Sequence, residues 1–232
     1  MIAASVLLLL AAALAPETAS VPAAGVREFR IEDAWGRDTV EFRTEAPIEE
    51  IVGTSNRVTG VLRADPSDLK GSATSARVRL PVTTLHTGVG ARDEAVAKSL
   101  GAPKNADAVF TLDSVTAVSA AGLQPNAPVE LEARGTLELN GVRRPVAVHA
   151  RLTYVPRGGP GSKMRPGNFV KLVARFDVRL DDFGVARSGS VLPLQVGDVA
   201  HITVSVLADD ASAEERAKYR QSAADYLKEP VN

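Results

Sequence analysis

The chain has 232 residues, 45% of them hydrophobic and 24% charged, the balance of a soluble globular protein built around one main domain. Its 27 lysines and arginines face 28 aspartates and glutamates, so the formal charge is -1 and there is no global basic field to gather nucleic acid. The absence of cysteine excludes disulfides, thiolate metal sites, a cysteine nucleophile and a lipid-modified N-terminal cysteine.

The chain opens with MIAASVLLLLAAALAPETAS, an apolar run from Ile2 to Ala15 followed by small residues and Pro16. A bilayer takes about 20 apolar residues, more than this run offers. It reads instead as a secretory signal peptide over residues 1–20. Ala13-Leu14-Ala15 and Thr18-Ala19-Ser20 both satisfy a small-x-small rule, so two cleavage points stay open.

From Val26 to Ala208 the dominant pattern is alternation of apolar and polar residues broken by turn formers, the mark of antiparallel strands with one wet face. REFRI, DTVEFRTE, RVTGVLRAD and SARVRLPVTTL come first. ARDEAVAKSLGA then predicts a short helix from about Arg92 to Leu100, inserted before the strand AVFTLDSV. In VELEARGTLEL the set Val129, Leu131, Ala133, Gly135, Leu137 and Leu139 points one way and the charged residues the other.

Asn140-Gly141 follows as a type I′ hairpin signal, because both central residues of that turn need positive φ. The return strand VAVHARLTY places Val146, Val148, Ala150, Leu152 and Tyr154 on the apolar face, with His149 outside. Residues 156–168, PRGGPGSKMRPGN, read as a solvated loop whose Arg157, Lys163 and Arg165 could meet anions. KLVARFDVRL and HITVSVL complete nine predicted strands, which suit a sandwich or a closed barrel. Within residues 212–230, Ser212 and Glu215 have capping-box spacing and start a helix reaching about Lys228. Its apolar stripe of Tyr219, Ala223, Tyr226 and Leu227 is expected to pack on the sheet.

Catalytic constellations are not visible. His86, His149 and His201 lie far apart, and no HExxH, paired His or EF-hand spacing occurs, so no metal site is expected. GVGARD at residues 88–93 lacks the lysine and the parallel strand-helix setting of a phosphate loop. Asp181-Asp182 would point to opposite faces of a strand, so a strand-end turn explains them better than a shared proton.

Four stretches taken in order resemble the YceI family of bacterial exported proteins. They are TTLHTGVGARDEAV (83–96), AVFTLDSV (108–115), GTLELNGVRRPVAVHARL (135–152), and ARFDVRLDDFGVARSG with LQVGDVAHITVSV (174–206). Thr87-Gly88 with Arg92-Asp93, the hairpin from Gly135 to Val146, Asp182-Phe183-Gly184 and Val196-Gly197-Asp198 carry the family's pattern. The family's early histidine-bearing strand has no counterpart, since no histidine precedes His86.

The resemblance, over about residues 38–207, implies an all-β fold, an antiparallel lipocalin-like β-barrel of about eight strands; the barrel domain is expected over residues 26–208, with the short helix read above inserted in it and the C-terminal helix an addition to it. It implies a non-enzymatic periplasmic or secreted carrier that holds a polyisoprenoid, a quinone-like molecule or another long-chain, fatty-acid-like lipid in its lumen. Phe42, Leu80, Phe110, Leu131, Val148, Leu152, Phe176 and Val204 would line that lumen, and Arg143 and Arg144 would sit at its rim. No other cofactor and no nucleic-acid partner is expected, and a homodimer stays open. The alternative is a solid-core β-sandwich serving as an interaction or envelope-stress module without a ligand.

Overall fold

The computed structural model describes residues 24–45, 50–159, 165–185 and 196–228; the signal peptide expected over residues 1–20 and Lys163 fall outside them. Ten strands form one sheet: β1 (Arg27–Glu32), β2 (Thr39–Glu45), β3 (Glu50–Ser55), β4 (Thr59–Ala64), β5 (Ser75–Pro81), β6 (Asp107–Val118), β7 (Pro128–Leu139), β8 (Val142–Val155), β9 (Phe169–Arg179) and β10 (Val199–Asp209). Two helices join them, α1 (Gly90–Ser99) between β5 and β6 and α2 (Ala213–Tyr226) at the C-terminus.

Asn140 and Gly141 have φ of 52° and 74°, the left-handed pair their types favour, and fold β7 onto β8 with Leu139 opposite Val142. Every pairing along the order β1-β4-β5-β6-β7-β8-β9-β10 is antiparallel, and β1 meets β10 again through Arg30↔Asp209 and Ile31↔Ala208. That closes an eight-strand barrel, as expected from the resemblance. β2 takes the rest of the same β10 edge, from Thr39↔Ser205 to Arg43↔His201, and β3 pairs beside it. The first strand of the barrel is therefore a ribbon bent between Glu32 and Thr39.

β3 is the strand that alternation missed. Its sequence EIVGTS is interrupted by Gly53, which stands opposite Phe42. A Cβ on Gly53 would collide with the Phe42 ring, so the residue that spoils the sequence pattern makes room for an inward aromatic.

The bend is held by Arg165, whose side chain is 0% exposed. Its guanidinium donates to the Glu32 and Leu207 carbonyls, each at 2.7 Å, and to Asp38 and Asp209, each at 3.1 Å. Asp38 accepts in turn from the Leu207 amide at 2.9 Å, while Asp33 accepts from the Arg37 and Asp38 amides and from the Tyr219 hydroxyl. The reading of Arg165 as a solvated loop cation is thus corrected: it links the end of β1, the start of β2 and the end of β10. Only an arginine presents enough fixed donors to serve two carbonyls and two carboxylates at once.

Burial pushes the Asp38 carboxyl up to about 6 against the pull of Arg165, and raises Asp209 for the same reason. Burial acts on Asp33 in the same sense, but hydrogen bonds from the Arg37 side chain and backbone and from Tyr219 outweigh it and hold that carboxyl at about 2.

α2 starts with the capping box, Ser212 and Glu215 each accepting from the other's backbone amide. It does not lie on a sheet face as expected. It covers the bend instead: Tyr219 bonds Asp33, Arg216 pairs with Asp209 at 3.0 Å, Arg220 with Glu32 at 2.7 Å, and Trp35 packs against Tyr226 with ring centroids 5.1 Å apart. Of the apolar stripe, Ala223 is buried and Tyr219 half-buried, whereas Tyr226 and Leu227 are exposed. Arg157, from the same loop as Arg165, pairs with Glu215 at 2.8 Å.

Arg165→Met leaves buried carboxylates without their counter-ion and is expected to lower unfolding free energy by about 3–5 kcal/mol, measured by urea denaturation at neutral pH. Asp38 titrates near 6 when folded and near 3.9 when unfolded, so between these values the folded state binds the extra proton. Its contribution to stability therefore grows as pH falls from about 7 toward about 4, and Asp38→Asn is expected to flatten that part of the stability profile.

Candidate ligand cavity

A barrel of eight strands is just wide enough for its inward side chains to meet, so small residues there leave space. Inward positions on β7, β8, β9 and β10 include Ala133, Gly135, Ala150, Ala174 and Ala200, all buried or nearly so. A cavity of about 910 Å³ opens inside the barrel beside them. The other end is solid: Phe29, Ile31, Leu123, Val129, Tyr154, Val170 and Val206 are each 3% exposed or less and contribute nothing to the cavity wall. They come from β1, the starts of β7 and β9, the ends of β8 and β10, and the β6–β7 connection. Val129 and Tyr154, members of the apolar faces read from the sequence, thus belong to this plug and not to the cavity wall.

All eight residues picked out for the lumen face the cavity: Phe42 from β2, Leu80 from β5, Phe110 from β6, Leu131 from β7, Val148 and Leu152 from β8, Phe176 from β9 and Val204 from β10. The Phe110 and Phe176 rings stack across the inward face of β7 and β8 with centroids 6.3 Å apart. A Cβ on Gly135 would strike the Phe110 ring, so this glycine, like Gly53, lets a phenyl lie flat against the wall. A solid-core sandwich is accordingly not the architecture.

Arg143 and Arg144 follow the Asn140-Gly141 turn on β8 and are both exposed; Arg143 stands opposite Glu138, 4.0 Å away, Arg144 opposite Leu137, and neither contributes to the cavity wall. The turn itself does: Asn140 reaches the cavity while its amide nitrogen donates to the Phe183 and Gly184 carbonyls at 3.1 and 3.3 Å. Asp181 and Asp182 lie in the 3-10 turn Leu180–Phe183 that ends at Gly184, whose φ is 61°. They are turn residues, as the sequence suggested.

The sequence reading missed α1 as part of the wall. Arg92, Glu94, Val96, Lys98 and Leu100 face the cavity, although the helix has no buried residue. Asp93 anchors its first turn, accepting from the Thr87 amide at 2.7 Å and the Thr87 hydroxyl at 2.6 Å. Those bonds, chiefly the hydroxyl, hold the Asp93 carboxyl below its ordinary range. The Thr-Gly and Arg-Asp pattern is therefore the tie between the β5 exit and the helix. Among the described residues the charged lining side chains, Arg63, Arg92, Glu94 and Lys98, come from β4 and α1.

The histidines do not converge. His149 sits outside the barrel between Glu132 at 2.7 Å and Glu130 at 3.2 Å, and His201 pairs with Asp177 at 2.7 Å. Among the described residues no group of histidines and carboxylates could hold a metal ion, and no helix is long and apolar enough to cross a membrane.

The sequence matches the YceI-like domain over residues 35–208. The chain belongs to the YceI-like family. Solved YceI-like and related barrels share its fold. BcnA of Burkholderia cenocepacia superposes with a TM-score of 0.56 at 16% identity, covering 76% of this chain and 98% of its own. A polyisoprenoid-binding domain from Saccharophagus degradans, implicated in plant cell wall breakdown, gives 0.59 at 12% identity, covering 80% and 99%. The Campylobacter jejuni YceI protein gives 0.55 at 18% identity, covering 72% and 90%. No curated protein sequence matches the chain. At such identities the likeness speaks for the fold alone.

A ring facing the cavity has fewer partners than a ring in the plug. Phe29→Ala is expected to cost about 3–5 kcal/mol by urea denaturation, whereas Phe176→Ala in delipidated protein should cost clearly less.

Proposed function

We propose that this YceI-like protein is a non-enzymatic exported carrier that holds a polyisoprenoid or another long-chain lipid in its barrel. The apolar cavity of about 910 Å³ carries this reading. Its strand-borne wall is hydrocarbon almost throughout, which suits methylenes and methyl branches and offers no acid, base or nucleophile in convergence. Each buried methylene contributes about 0.8 kcal/mol, so ten give roughly 8 kcal/mol before any polar contact. That exceeds the lower estimates of the association cost, about 4 kcal/mol. A polyisoprenoid-binding domain among the structural neighbours points the same way. The apolar N-terminal run supports export to the periplasm or beyond, where such a lipid must cross water between membranes.

Native mass spectrometry of protein purified without detergent, followed by solvent extraction, is expected to give one apolar adduct per barrel. A clean apo mass together with no uptake of added isoprenoid would rule the carrier out.

A further inference from the structure

Among the described residues that line the cavity from β2, β3 and β6 to β10, a single side chain is polar: Thr44. Thr44 is 2% exposed, and its hydroxyl has no hydrogen-bond partner. It alternates inward with Val40 and Phe42 on β2, stands opposite Ile51 on β3, and lies beside Gly197, where a Cβ would come within 3.1 Å of the hydroxyl. A buried hydroxyl left unpaired costs stability, and valine would fill the same space without that cost. Its position facing the ligand space gives the hydroxyl a reason to be there.

We propose that the Thr44 hydroxyl is the polar anchor of the cavity, pairing with a neutral oxygen on the lipid, either a hydroxyl or a carbonyl. This rests on the carrier reading and specifies which end of the lipid is recognised. A hydroxyl can both donate and accept, so it serves a prenol oxygen and a quinone carbonyl alike. It carries no charge, and the other described side chains that line the wall from β2, β3 and β10 are hydrocarbon, so a bare phosphate there would lack a counter-ion among them. The described cationic side chains of the wall belong to other elements, Arg63 to β4 and Arg92 and Lys98 to α1. β2 therefore discriminates a neutral head from none at all.

A second unpaired hydroxyl, Thr74, also faces the cavity, from just before β5. Its residue is partly exposed, which makes it the internal control.

The test is delipidated full-length protein titrated with geranylgeraniol, with the naphthoquinone bearing the same geranylgeranyl chain, and with phytane, which has a branched chain of matching length and no oxygen. Thr44→Val is expected to weaken binding of an oxygen-bearing ligand about fivefold, the worth of one neutral hydrogen bond, and to leave phytane unchanged. Whether the prenol, the quinone or both respond tells hydroxyl from carbonyl recognition. Thr44→Ser restores the preference, Thr74→Val leaves it intact, and the melting temperature of ligand-free Thr44→Val does not fall. Equal loss for all three ligands with a lower melting temperature, or loss of the preference in Thr74→Val instead, overturns the assignment. If wild-type protein binds phytane as tightly as both oxygen-bearing ligands, the anchor is wrong while the carrier stands. If it binds none of the three, the carrier reading falls and the anchor with it.

Discussion

The size of the inward side chains on β7 to β10 decides what this barrel is. Eight strands bring opposite walls close enough for leucines and phenylalanines to fill the lumen, and at the plugged end Phe29, Ile31, Tyr154 and Val170 do so. Farther along the same strands the inward positions pass to Ala133, Gly135, Ala150, Ala174 and Ala200, and the walls no longer meet. One fold thus supplies both the packed core that stabilises it and an apolar cavity beside that core. The division suits a carrier: apolar packing at one end keeps the barrel shut against water, while the open stretch presents hydrocarbon walls to a chain.

Closure depends on a different kind of chemistry. β10 must accept both β1 and β2 along one edge, so the chain has to bend between them without leaving backbone groups unpaired. Arg165 satisfies the carbonyls at the bend, and Asp33, Asp38 and Asp209 neutralise it. A buried ion cluster adds little net stability compared with a hydrocarbon core, but it is costly to break and fixes geometry. α2 then shields it through Tyr219, Arg216 and Arg220. The C-terminal helix, Arg157 and Arg165 are therefore parts of one clasp on the barrel, away from the cavity wall.

Much of this was legible because alternation is a geometric property of a strand. The hairpin at Asn140-Gly141 and the inward faces of β7 to β10 followed from turn chemistry and period-two reading, and the order of motifs gave the family, whose barrel pointed to the eight lumen-facing side chains. Three features were not legible for physical reasons. Gly53 hid β3, since its role is to yield space to a ring on the neighbouring strand. Arg165 sits among glycines and prolines that signal a loop, and only the closure of the barrel brings it to carboxylates more than forty residues away in sequence, Asp38 and Asp209. Thr44 looks like an ordinary strand threonine, because the signal that singles it out is the want of a partner, which no sequence records.

The central claim is that the lumen is hollow and holds a chain. A high-resolution crystal structure of the protein, purified without detergent from an exporting host, tests it most directly. The expected result is continuous elongated density running past Phe110 and Phe176 and ending near Thr44. A lumen closed by inward collapse of those rings, with no density in the cavity, would contradict it.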